Sequence, residues 1–153
     1  MGAVALMGGL YLGKRWALLL PFLVLLISDS VLNVQMGSPL FVWERLVDYG
    51  AFLVIGLAGL CLRNTGQTGK LSAAFATPLF FFLVSNLGVW LFGLGIGGVP
   101  YAKNFIGFLT CFTAALPFLS GTILGDWSFM TLFAAVWMLV NIPYRSATRT
   151  AAI

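Results

Sequence analysis

The chain has 153 residues, 61% of them hydrophobic and only 8% charged, with a mean hydropathy of +1.04 and a net charge of +4. An ordinary soluble domain is roughly one-quarter charged, and a chain this small has no interior for so much apolar surface; a soluble globular domain is excluded, and so is disorder. The apolar residues come in long runs rather than in alternating strands of about ten residues, which indicates an all-α, polytopic helical membrane protein and not an outer-membrane barrel.

Cutting the chain at its charges gives six apolar segments in one integral membrane domain, residues 1–153. The first, 2–13, ends at Lys14-Arg15 and is too short to cross a bilayer of about 30 Å. It carries small residues at Ala5, Gly9 and Gly13, a four-residue repeat that lets helix backbones approach closely, within the fold or against another membrane protein. Segments 16–34, 71–94 and 122–142 are long enough to span, and 46–62 is slightly short. Segment 104–119 holds Pro117 near its end and reads as a short helix at the outer surface. Pro21, Pro78 and Pro117 mark kinks or helix starts.

Charge orients these segments. If 104–119 does not cross, six basic residues (Lys14, Arg15, Arg63, Lys70, Arg145, Arg149) share one side against two (Arg45, Lys103) on the other. If it does cross, the division is four to four. The positive-inside rule selects the first arrangement. The expected protein is multi-pass, with a cytoplasmic C-terminus and loops 35–47 and 95–103 outside. Met1 begins directly in an apolar stretch with no basic region before it, so no secretory signal peptide is expected.

In this arrangement the acidic residues fall in the outer half. Asp29 and Asn33 lie four apart on one face of 16–34; Glu44, Asp48 and Tyr49 stand at the outer end of 46–62; Asn86 and Trp90 lie four apart in 71–94; Asp126 and Trp127 open 122–142. An ionised side chain at membrane depth faces a cavity, a partner or a ligand. Asp29, Asn33, Asp48, Tyr49, Asn86, Trp90 and Asp126 are therefore candidate ligand-binding residues of an outer acidic, aromatic pocket. Trp43, Tyr101 and Trp127 are expected at the same level, where tryptophan and tyrosine also form interfacial belts. Asn86 equally suits a helix–helix hydrogen bond, and Asp48 and Asp126 suit helix caps. No Lys or Arg of 16–34 reaches Asp29, so its expected partners are Asn86, another outer carboxyl group or a ligand.

The chain has no His, and its two Cys, Cys61 and Cys111, lie fifty residues apart in apolar runs. There is no metal-ligand spacing, no nucleophile–base pair and no phosphate loop. "GLGIGG" at 93–98 follows a membrane helix and is a loop rather than a nucleotide fingerprint. No catalytic residue, metal, cofactor or nucleic-acid partner is expected.

Four stretches carry a resemblance: "GAVALMGGLYLGKRWALLLPFLVLLISD" (2–29), "DYGAFLVIGLAGLCLR" (48–63), "PLFFFLVSNLGVWLFG" (78–93) and "LTCFTAALPFLSGTILGDWSF" (109–129). They resemble an uncharacterised family of bacterial inner-membrane proteins with a domain of unknown function. "SNLGVW" and "ALPF…TILGD" are the most specific pieces. That family is itself similar to the substrate-binding (S) components of energy-coupling-factor (ECF) vitamin transporters. Leu12-Gly13-Lys14-Arg15 looks like their cytoplasmic basic turn, Asp48-Tyr49-Gly50 and Gly56-Leu57-Ala58-Gly59 like their fourth helix, and Leu116-Pro117 like the step into their last helix. The resemblance implies an S-component-like bundle apparently lacking the first of six helices, with ligand held near the outer face.

Two functions follow as expectations. One is a substrate-binding subunit that captures a small cationic or zwitterionic nutrient from outside. The other is a non-catalytic accessory subunit of a larger respiratory or photosynthetic membrane complex. Beyond the lipid bilayer, the expected partners are other membrane subunits in either case and a small-molecule ligand in the first.

Overall fold

The structure is a computed structural model. It describes the backbone of residues 2–12, 14–36, 43–95 and 98–150 and, of these, the side chains outside 16–18, 32–36, 43–44 and 141–150. It is all-α, with no strand among the described residues: α1 (Gly2–Met7) followed by a π-helical segment Gly8–Leu12, α2 (Lys14–Met36), α3 (Trp43–Cys61) with a 3-10 turn Leu62–Asn64, α4 (Gln67–Phe92) and α5 (Phe105–Thr150). Three stretches are long and apolar enough to cross a membrane: Arg45–Asn64, Gln67–Phe92 and Phe105–Val140. The described apolar stretch of α2, Leu19–Val31, is shorter.

Neighbours in sequence are neighbours in space. Phe52 stacks on Phe81 with ring centroids 4.6 Å apart, joining α3 to α4; Phe75 meets Trp127 edge-on at 4.8 Å, joining α4 to α5. The four long helices form an arc, and the arc does not close. Among the described residues no Cα of α2 comes within 8 Å of α5.

The short first segment fills the centre of this arc. Ala3 and Ala5 have no exposed surface and Leu6 only 1%. A helix too short to span is tolerated here because protein, not lipid, surrounds it. Contact is close because the facing residues lack side chains. A Cβ on Gly9 would stand 2.9 Å from the Gly59 Cα, and one on Gly59 would stand 2.6 Å from the Leu6 carbonyl oxygen. Ala5 and Gly9 therefore pack inside the chain, not on a docking face, while Gly13 lies outside the described residues.

The second departure concerns segments 104–119 and 122–142, which form one helix, α5, without a break at Pro117. Pro117 removes one backbone donor and Ser120-Gly121 suggest a turn. In an apolar setting, however, a loop would leave several backbone groups unbonded, which costs more than one missing hydrogen bond. Ser120 Oγ donates to the Pro117 carbonyl at 3.1 Å, within the helix. Pro21 and Pro78 likewise sit inside helices.

This single helix leaves the charge arithmetic unchanged. Lys14, Arg63 and Lys70 stand at the α2 start, the α3 end and the α4 start, which share one end of the antiparallel arc. Helix α5 begins at the opposite end and returns its last turns to the first.

Candidate ligand cavity

The open side of the arc is a cavity of about 590 Å³ between α2 and α5. Its floor is Gly2 and Val4 of α1. Val24 and Leu25 of α2 form one wall, and Gly121, Thr122, Gly125, Asp126 and Phe129 of α5 the other. Asp48, Phe52 and Phe81 close the back. Gly121 and Gly125 are four residues apart on one face, and a Cβ on either would meet nothing within 4 Å. Their missing side chains leave part of the cavity empty.

Two of the candidate carboxylates, Asp48 and Asp126, line this space. Asp126 is 3% exposed and stands beside Gly2: a Cβ on Gly2 would lie 2.7 Å from the Asp126 Oδ2 and from the Thr77 Cγ2. Thr77 turns its hydroxyl to its own helix, donating to the Ala73 carbonyl at 2.8 Å. Asp126 was expected in the first turn of a helix. It lies in the interior of α5, about 32 Å from Phe105, because α5 starts at residue 105 and not at 122.

Asp29 belongs to a different cluster. Tyr49 Oη donates to Asp29 Oδ2 at 3.0 Å, and Arg45 Nη1 stands 3.9 Å from the same oxygen. Both partners come from α3, spaced four residues apart on the face turned to α2. Among the protein partners expected for Asp29, this replaces Asn86 and a second carboxyl group with Tyr49 and Arg45. A charge at membrane depth costs about 2.5–3.5 kcal/mol on insertion scales, and a hydrogen bond to a charged group returns about 1.5–3 kcal/mol. Tyr49 and Arg45 together offset that cost, and Asp29 ties α2 to α3. The Asn33 side chain lies outside those described.

Asn86 and Trp90 are also engaged elsewhere. Asn86 Nδ2 donates to the Phe82 carbonyl of its own helix at 2.7 Å, not across to another helix. The Cys111 thiol reaches the Asn86 carbonyl oxygen at 3.6 Å, linking α5 to α4. Trp90 holds the α4–α5 connection: its Nε1 donates to the Ala102 carbonyl at 3.0 Å, Lys103 Nζ bonds the Trp90 carbonyl, and the Lys103 ammonium lies 5.7 Å from the indole centroid. Gly98, at φ 76°, supplies the left-handed turn this loop needs. Trp127 is not at the level of Trp90 and Tyr101; it packs on Phe75, in the half of α4 nearer Lys70.

The cavity thus brings Asp48 and Asp126 together and leaves Asp29, Tyr49, Asn86 and Trp90 outside it. Its aromatic lining, Phe52, Phe81 and Phe129, was not anticipated. Those residues look like ordinary apolar helix positions, and only the Gly121–Gly125 spacing hinted at a recess on α5.

The chain matches, over residues 1–149, a family described as a family of unknown function, DUF6580, and belongs to it. No curated protein and no solved structure matches the chain.

Proposed function

We propose that this chain is a substrate-capturing subunit of a bacterial inner membrane, similar in role to the S components of ECF transporters, and that the α2–α5 cavity receives a small organic cation or zwitterion. The observation that carries this reading is the cavity itself. Its volume of about 590 Å³ suits a small metabolite, within the roughly 300–1,000 Å³ usual for ligand pockets. It is mostly apolar, with aromatic faces from Phe52, Phe81 and Phe129 and two carboxylates, Asp48 and Asp126. Aromatic faces and carboxylates in a low-dielectric slot favour a cation over an anion.

Sidedness follows from the basic residues. With α5 crossing once, six Lys and Arg fall on one side and two on the other. That side is the cytoplasm under the positive-inside rule, with the C-terminus there and the 93–104 loop outside. Asp48, one turn from Arg45, marks the outer part of the cavity.

A thermal-shift screen of small aromatic cations and zwitterions in detergent tests the proposal. At least one compound stabilises the native protein, and none stabilises Gly121→Leu, whose side chain fills the cavity. If nothing stabilises the native chain, or if Gly121→Leu responds equally, the proposal fails.

A second reading has its own observation. The apolar part of α5, Phe105–Val140, runs about 54 Å, well beyond a bilayer core of about 30 Å, and Met138, Leu139 and Val140 are 64–68% exposed. An accessory subunit of a larger membrane complex would cover that overhang with a partner. A stable monomer that retains no partner after gentle solubilisation contradicts this reading.

A further inference from the structure

A second recess lies on the other side of α5, between α4 and α5 at the Lys70 end. Its volume is about 350 Å³. Leu6 and Leu10 form its floor, Leu71 and Phe75 line the α4 side, and Met130 and Met138 line the α5 side. Its lining is mostly apolar, with the Thr131 hydroxyl turned to its own helix, and Gln67 and Lys70 at the mouth occupy the first turn of α4.

Lys70 has no carboxylate partner among the described residues. Its ammonium lies 5.7 Å from the Tyr11 ring centroid, so the side chain reaches along the groove mouth over an aromatic face. Lys14, Arg15 and Arg63 stand exposed at the same end of the bundle. A lysine in the first turn of a spanning helix lies at headgroup depth, and the apolar slot starts about one turn deeper. A cation at headgroup depth above a lateral apolar slot matches the charge and shape of an anionic phospholipid. The α2–α5 cavity offers the opposite, with two carboxylates in its lining and no basic residue.

We infer that the α4–α5 groove binds an anionic phospholipid, one acyl chain lying along the exposed Leu71, Phe75 and Met138 and the phosphate paired with Lys70. Such basic recesses between spanning helices at the cytoplasmic surface suit acidic headgroups. The bound lipid covers the exposed Leu71, Phe75 and Met138 and couples the stability of the α4–α5 pair to the charge of the inner leaflet.

The experiment compares the full chain in nanodiscs of phosphatidylcholine with nanodiscs containing phosphatidylglycerol of the same acyl chains, reading Tm and, by native mass spectrometry, retained lipid. The phosphatidylglycerol discs raise Tm by several degrees and one phosphatidylglycerol stays bound. Lys70→Gln abolishes the difference; Arg63→Gln, at the same end but outside the groove, preserves it. Ala74→Phe, which fills the groove, loses the retained lipid with Lys70 intact, and this variant decides the matter if Lys70→Gln fails to fold. Equal stability in the two lipids overturns the inference. So does equal loss in Arg63→Gln, which indicates diffuse surface attraction, or a full shift from inorganic phosphate in detergent, which indicates an anion site without the groove.

Discussion

Gly9 and Gly59 meet backbone to backbone at the centre of the molecule, and this contact seats α1 inside the arc of long helices. A Cβ on either would come within 3.0 Å of the other segment's backbone, and no side-chain rotation relieves a clash with backbone. Overpacking of this kind costs about 1–3 kcal/mol. Gly9→Ala and Gly59→Ala are each expected to lower Tm, measured in detergent by intrinsic fluorescence. Gly125→Ala, with nothing within 4 Å of its new methyl group, is expected to raise Tm slightly, because Ala favours the helix by up to about 1 kcal/mol. Equal effects at the three positions would mean that α1 does not pack as described.

Asp29 and Tyr49 form a pair that a double-mutant cycle can measure. Asp29→Asn keeps an acceptor for the Tyr49 hydroxyl and is expected to cost less than about 1 kcal/mol. Tyr49→Phe removes the donor, and Asp29→Leu removes the acceptor for both Tyr49 and Arg45; each is expected to cost about 1–2 kcal/mol, reduced from the buried value by partial exposure. The expected coupling energy of Asp29 and Tyr49 is about 1 kcal/mol. Additive single effects would remove the hydrogen bond from the account.

The continuity of α5 is measurable as a distance. Spin labels at Ile106→Cys and Leu139→Cys, with Cys61 and Cys111 replaced by Ser, are expected about 50 Å apart by pulsed dipolar spectroscopy, from 1.5 Å per helical residue. A distance below about 35 Å would restore a turn between 119 and 122. In the same cysteine-free background, Gln67→Cys and Arg149→Cys are expected to react with membrane-impermeant reagents from the cytoplasmic side, and Val99→Cys from the outside. Labelling of Arg149→Cys from outside would overturn the proposed sidedness.

Particular residues show what the sequence made legible. The low charge and long apolar runs were enough for an all-α membrane bundle, because both follow from composition. Segment 104–119 was read as a separate short helix at the outer surface, whereas it is the first part of one helix, Phe105–Thr150, whose last turns lie at the Lys14 end of the bundle. Gly9 was visible as a small-residue position, but not that it would meet Gly59. The partners of Asp29 were not legible because Arg45 and Tyr49 come from a different helix, and no pattern within one segment reveals the register between two. Asp126 was placed at a helix start because the chain was divided after Pro117 into 104–119 and 122–142; apolar surroundings keep such a stretch helical. The phenylalanines of the cavity had no signature at all, since a recess exists only once α2 and α5 are seen to stand apart.

Trp90 holds the 93–104 loop by its indole and its carbonyl group. Trp90→Phe loses the hydrogen bond to Ala102 while keeping the edge-on contact with Phe108. Limited proteolysis within 98–104 is expected to become faster, with Tm changed little, because Val99, at 67% exposure, stands outside the packed core. A large drop in Tm with no change in cleavage would give Trp90 a core role instead.

The central claim is that the space between α2 and α5 receives a small cation or zwitterion. The most direct test is ligand-induced stabilisation of the native chain compared with Asp126→Asn and Gly121→Leu. The account predicts a ligand that raises the native Tm, a markedly smaller shift with Asp126→Asn because the carboxylate charge is gone, and none with Gly121→Leu while that variant remains folded. A shift that survives in Gly121→Leu, or the absence of any stabilising cation or zwitterion, would contradict it.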